Sequence, residues 1–169
     1  MAASFEDFVT ESVDGLLRTA YLITSDEGEA EDLVQECLLM VARRWGRIRR
    51  MNQPLAYARR VLINLALRGT RQRSRRRAEL AAETVEASTS SAGLELLATR
   101  DEVRAALRQL APRQRAVLVL RYFNDLSEAE VAKMLGCTTG TIKSTASRSL
   151  AQLRELIQPD DLQTRSARL

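Results

Sequence analysis

The chain has 169 residues, is 45% hydrophobic and carries 26 bases against 22 acids, which suits one ordinary domain or two small ones and argues against a single large enzyme core. It has no histidine, so imidazole acid/base catalysis, His-activated nucleophiles and imidazole metal ligands are all removed. The net charge of +4 hides a sharp partition: residues 1–36 hold ten acids and one base, residues 37–78 thirteen arginines and no acid, residues 79–102 six acids and one base, and residues 103–169 eleven bases and six acids.

The first third predicts three helices. Phe5, Phe8, Val9, Val13, Leu16, Ala20 and Tyr21 recur at helical spacing, and the run ends near Thr24-Ser25-Asp26. Asp26 followed by Glu29 resembles a capping box, and Ala30, Leu33, Val34, Cys37, Leu38, Val41, Trp45 and Ile48 then mark one face of a helix from about 26 to 48. Asn52-Gln53-Pro54 places a polar cap and a proline at the next start, with Leu55, Ala58, Val61, Leu62 and Leu65 as the buried stripe and Gly69 near the end.

Residues 78–98 lose the large apolar periodicity and pass through a Ser/Thr/Gly cluster at 88–93, the mark of a linker. Helical patterns resume at about 100–110, at 113–123 after Pro112, from Ser127 to Leu135, and at about 139–157; residues 159–169 read as a polar tail. The fold class expected is all-α: two small helical domains joined by a linker, spanning 1–77 and 99–158, with a helix-turn-helix in the second.

The helix-turn-helix is the sharpest local signal. Ser127 can cap a helix that buries Val131, Ala132 and Leu135, Gly136 allows a left-handed turn, and Thr138 or Thr139 can cap a second helix packed through Ile142. Ala132 is the small residue that the crossing needs. The second helix then exposes Thr139, Thr141, Lys143, Ser144, Ser147 and Arg148, hydroxyls and cations suited to groove edges and phosphates. A bland reading is a helical hairpin with a solvated polar face.

The acid-free block points the same way. Self-repulsion at that density is costly, and a polyanion relieves it: nucleic acid first, an anionic membrane surface second. Arg60, Asn64, Arg68 and Arg71 fall at i, i+4, i+8 and i+11, sharing a face opposite the apolar stripe. An asparagine among arginines matters because its amide can pair bidentately with a base edge. Arginine outnumbers lysine 24 to 2, a bias that a GC-rich genome would also produce.

Other residues are assigned no chemistry. Trp45 could stack on an unpaired base, but it continues the apolar series through Val41 and reads as core. Cys37 lies on that stripe; Cys137 sits in the turn; the two make neither a disulfide framework nor a thiolate zinc site. The seven glycines form no phosphate loop, and no carboxylate pair has a partner base. No catalytic residue, metal or cofactor is therefore expected. The acidic start MAASFEDF and the lack of a long apolar run predict a cytoplasmic protein with no stable membrane insertion.

At EAEDLVQECLLMVARRW, PLAYARRVLINLALR and LRQLAPRQRAVLVLRYFNDLSEAEVAKMLGCTTGTIKS, the chain resembles the extracytoplasmic-function sigma factors, the short members of the sigma-70 superfamily. The resemblance runs from about Phe5 to Ile157, weakest in the spacer, and its opening segment is most similar to the short actinobacterial SigE-like group. It implies a promoter-recognition subunit of bacterial RNA polymerase. Asp32, Leu33, Gln35 and Glu36 would dock on the clamp helices of the largest subunit. Arg60, Asn64, Arg68 and Arg71 would read and open the minus-10 element, with Asn64 at the base-reading place.

The second domain would read the minus-35 element through Thr139, Thr141, Lys143, Ser144, Ser147 and Arg148, and would dock on the flap of the second-largest subunit. An anti-sigma factor is a further candidate partner. The chain departs from many relatives at Tyr57, where they carry tryptophan, and at Thr145 and Ser147, where they carry arginine and a bulky residue. The rivals are a stand-alone helix-turn-helix regulator and, less compatible with the missing histidines, a nucleic-acid-processing enzyme.

Overall fold

The computed structural model describes residues 4–80 and 98–157, and all the regular structure among them is helical. The chain divides into two compact units. In the first, α1 (Phe5–Thr24), α2 (Glu27–Ala42), α3 (Trp45–Ile48) and α4 (Pro54–Leu80) follow one another, with α1 packed on both α2 and α4 and α2 packed on α4.

Local chemistry sets most of the helix starts. Ser4 and Asp7 form a reciprocal capping box on α1: the Ser4 hydroxyl accepts from the Asp7 N–H at 3.1 Å, and the Asp7 carboxylate accepts from the Ser4 N–H at 3.1 Å. Ser25 then takes a left-handed conformation at φ 59° and ends the helix. Leu16, Ala20 and Ile23 from α1, Val34, Cys37 and Val41 from α2, and Ala58, Leu62, Ile63 and Ala66 from α4 form the core. The Cys37 Sγ–H donates to the Ala58 carbonyl at 3.3 Å, tying α2 to α4.

Two expectations change here. The helix expected from 26 to 48 is broken after Ala42, with Arg43 and Arg44 between α2 and α3. The break lets Trp45 meet the aromatic side chains of α1, 5.5 Å from the Phe5 ring and 5.0 Å from that of Phe8, while Ile48 turns inward and is buried. Trp45 is thus a packing residue, as its place in the apolar series suggested. Conversely, α4 runs straight through Gly69 to Leu80. The acidic-linker boundary expected at residue 78 therefore falls inside a helix; the remainder of the expected linker, 81–97, and the expected tail lie outside the described residues.

The helices that follow are α5 (Ala98–Gln109), α6 (Pro112–Leu118), α7 (Glu128–Leu135) and α8 (Thr139–Ile157), with α8 packed on α5 and α6. Helix α6 starts at Pro112, whose missing N–H costs nothing there, and the Gln114 side chain accepts from the Ala111 N–H at 3.2 Å. It runs on into a π-helical turn, Val119–Phe123, closed by the Asn124 N–H donating to the Val119 carbonyl at 3.0 Å. Arg121 donates from its guanidinium to the Leu126 carbonyl and so holds the segment leading into α7. Ala116, Val117, Val119, Leu120, Val131 and Ile142 are buried and hold these helices together.

Candidate nucleic-acid interface

The turn between α7 and α8 is built as its residues suggest. Ser127 accepts from the Glu130 N–H at 3.2 Å while the Glu130 carboxylate accepts from the Ser127 N–H at 2.8 Å and from its hydroxyl at 2.7 Å. Gly136 lies at φ 64°, where a side chain would be strained, and reverses the chain. Between the two candidate caps, Thr138 is the one used: its hydroxyl accepts from the Thr141 N–H at 3.2 Å. Val131, Ala132 and Ile142 are buried as expected, whereas Leu135 is only half-buried and Met134 takes the inner place.

With Ile142 and Ala146 inward, the opposite side of α8 carries Thr139, Thr141, Lys143, Ser144, Ser147 and Arg148, all exposed. Three of these have local partners: Thr141 shares a 2.9 Å hydrogen bond with the Thr138 hydroxyl, the Ser144 hydroxyl donates to the Thr141 carbonyl at 3.1 Å, and the Arg148 Nε–H donates to the Ser144 carbonyl at 3.3 Å, which folds the guanidinium along the helix. A helix of 19 residues with one apolar side, two cations and four hydroxyls outward, entered through a tight turn, has the form of a major-groove reader.

On α4, Arg60, Asn64, Arg68 and Arg71 are all exposed and lie along one side, while Ala58, Leu62, Ile63 and Ala66 are buried. Arg75, exposed and four residues past Arg71, extends the same row. The i+4 spacing from Arg71 makes it legible in the sequence, although it lies in the run RQRSRRR beyond the apolar stripe of the helix. Arg73, also in this stretch, points elsewhere and pairs with Glu29 of α2. Near the start of the helix, the Arg44 guanidinium donates to the Tyr57 hydroxyl at 3.3 Å, so Tyr57 is anchored to the segment before α3.

The segment Asp32–Glu36 splits by helical phase. Asp32, Gln35 and Glu36 are exposed, whereas Leu33 is 9% exposed and belongs to the core. Leu33 is therefore not on the outer surface where the resemblance had grouped it. The same helix exposes Leu39 at 61% and Met40 at 37%, large apolar side chains that continue the Gln35–Glu36 surface. Sequence reasoning passed over them because they follow an apolar stripe closely enough to look like part of it. On the second unit, Tyr122 and Phe123 at the end of the π-helical turn are exposed as well.

Cys37 is fully buried, and burial pushes its thiol up to about 11, against a smaller opposing hydrogen bond from the Leu62 backbone and with a small push from Glu36. It is a neutral packing group. No described helix is long and apolar enough to cross a membrane.

The described residues thus form two helical units, one presenting a cationic row around an asparagine and the other a helix-turn-helix with an outward hydroxyl-and-cation face. Residues 8–76 match the sigma-70 region 2 family and residues 100–153 match the sigma-70 region 4 family. The chain is 38% identical over 162 residues to the RNA polymerase sigma-E factor of Streptomyces coelicolor, covering 96% of this chain and 90% of that one. It is 33% identical over 166 residues to the ECF RNA polymerase sigma factor SigL of Mycobacterium tuberculosis, covering 93% and 90%. Among solved structures it is similar to the sigma factor RpoE of Bartonella quintana, determined with the anti-sigma factor NepR, at a TM-score of 0.74 and 26% identity over 92% of this chain and 98% of that one. The chain belongs to the extracytoplasmic-function sigma factors of the sigma-70 family, promoter-recognition subunits of RNA polymerase.

Proposed function

We propose that the first unit docks on polymerase and captures the minus-10 element, that the second reads the minus-35 element, and that the protein contributes binding free energy to promoter opening and no bond chemistry of its own. The observation that carries this is Asn64, exposed in the centre of a row with Arg60, Arg68 and Arg71. Cations alone hold phosphates; an amide among them can read a base edge. Opening a duplex costs about 1.4 kcal/mol per base-pair step, and capture of unstacked bases beside a cationic helix offsets part of that.

The docking surface on the clamp helices of the largest polymerase subunit is Asp32, Gln35 and Glu36, widened by Leu39 and Met40. This combination is supported by their joint exposure on α2, an acidic rim beside apolar side chains. Thr139, Thr141, Lys143, Ser144, Ser147 and Arg148 face the upstream major groove, and the same unit meets the flap of the second-largest subunit. An anti-sigma factor is a further partner, supported by the likeness to RpoE solved with NepR. The site of action is the cytoplasm, where polymerase and promoter DNA are found.

The test is reconstitution with core polymerase and promoters mapped from transcript starts after overproduction of the protein. New, position-specific transcripts should depend on both components, and Asn64→Ala should reduce them while core association stays intact. Tight operator binding with no effect on polymerase would instead identify a stand-alone regulator. Equal loss of transcription and core binding in Asn64→Ala would remove the base-reading role.

A further inference from the structure

The basic row on α4 extends past the part of the helix that packing holds. Among the described side chains of α4 the last buried apolar one is Ala66, yet the helix continues to Leu80 and carries Arg68, Arg71, Arg73, Arg75 and Arg76. Cations three and four residues apart on one helix repel each other and weaken it. An isolated extension of that kind has poor reason to keep one direction.

What holds it comes from α2. Asp26 caps α2 by accepting from the Glu29 N–H at 2.7 Å, the first half of a capping box. The second half is missing. The Asp26 N–H donates instead to the Thr24 hydroxyl at 3.3 Å, and the Glu29 carboxylate reaches across to the Arg73 guanidinium. The Glu29 side chain is only 18% exposed and lies over Gly69, where a Cβ would stand 3.6 Å from its Oε1 and 4.0 Å from an Arg73 nitrogen. A methyl there would be in ordinary contact with the pair, and only a longer side chain would displace it. Arg73 lies nine residues after Asn64, about two and a half turns, on the opposite side of the helix from the basic row.

We propose that Glu29 is a positioning residue for promoter DNA: by holding Arg73 from behind, over Gly69, it fixes the direction in which α4 presents Arg68, Arg71 and Arg75. The pair also joins the helix that carries the polymerase-docking surface to the helix that carries the DNA-reading row. A carboxylate in a basic block would ordinarily weaken DNA binding; facing away from the row, this one orders the cations. The inference rests on the minus-10 role assigned to α4 above.

The experiment uses the full chain with core polymerase on a mapped promoter, with 2-aminopurine in the minus-10 element reporting opening and fluorescence anisotropy reporting core association. Glu29→Gln and Arg73→Gln should each lower the opened fraction roughly two- to five-fold, the size of a partly exposed ion pair, with core affinity unchanged. Gly69→Leu, which fills the space under the Glu29 carboxylate, should reproduce the loss without altering a charge. The double variant Glu29→Arg with Arg73→Glu should recover most of the opening, which a role in stability alone does not require. Single variants that open the promoter like the wild type, or a charge swap no better than its worse single variant, would overturn the proposal. A wild-type chain that opens no promoter with core polymerase would overturn the minus-10 role itself, and this inference with it.

Discussion

The Arg115 guanidinium of α6 donates to the Leu110 carbonyl at 3.1 Å, at the turn that ends α5, and through the same nitrogen to the Arg108 carbonyl at 2.8 Å. The end of a helix leaves carbonyls without partners, and a buried arginine here takes two of them. Burial, then the neighbouring Arg108 charge, lowers its pKa below the ordinary arginine value. Arg115→Ala should cost about 1–3 kcal/mol through the orphaned carbonyls, seen as a lower melting temperature of the full chain. Arg115→Lys should not restore it, since the lysine ammonium ends about one bond short of the guanidinium nitrogen that makes both contacts. Wild-type melting in the alanine variant would show that the contact is energetically idle.

Leu33 and Glu36 separate folding from docking. Leu33 is buried between helices, so Leu33→Ala should destabilise the first unit by about 2–5 kcal/mol. Glu36 is exposed, so Glu36→Lys should leave the melting temperature within about 0.5 kcal/mol equivalent while weakening association with core polymerase. Thermal melts alongside anisotropy titrations check both; a stable Leu33→Ala that has lost polymerase binding would return Leu33 to the docking surface.

Arg148 is exposed on α8 and loosely held by the Ser144 carbonyl. Arg148→Ala should weaken binding of the upstream element by about 1–3 kcal/mol if the guanidinium meets a base, and should make the salt dependence shallower by about one unit if it meets a phosphate. Titrations at several salt concentrations tell the two apart. Unchanged affinity and slope would exclude Arg148 from the interface.

Cys37 gives a pH dependence with a definite sign. Its thiol is raised from 9.0 to about 11 in the folded chain. Below pH 9 both folded and unfolded forms keep the proton, so the thiol adds no slope. Between about 9 and 11 only the unfolded form ionises, and stability falls as pH rises. Cys37→Ala should lose its share of that alkaline decline, and at pH 8 iodoacetamide should modify the half-buried Cys137 well before Cys37. Rapid alkylation of Cys37 in the native chain would contradict its burial.

What the amino-acid order determined by itself is what short-range chemistry controls. Helical spacing from Phe5 to Tyr21, the cap at Ser127, the left-handed turn at Gly136 and the common phase of Arg60, Asn64, Arg68 and Arg71 depend on residues within a turn or two of each other, and all were legible. Tertiary contact decided the rest. The break after Ala42 exists because Trp45 finds Phe5 and Phe8 some forty residues earlier in the chain, and α4 passes Gly69 with Glu29 of another helix lying over it and paired with Arg73. Leu33 and Leu39 are the same residue type on one helix, and only the packing of α2 against α1 and α4 buries the first and leaves the second in solvent. Periodicity tells which side chains share a face; which face is covered, and by what, is set by partners far away in sequence.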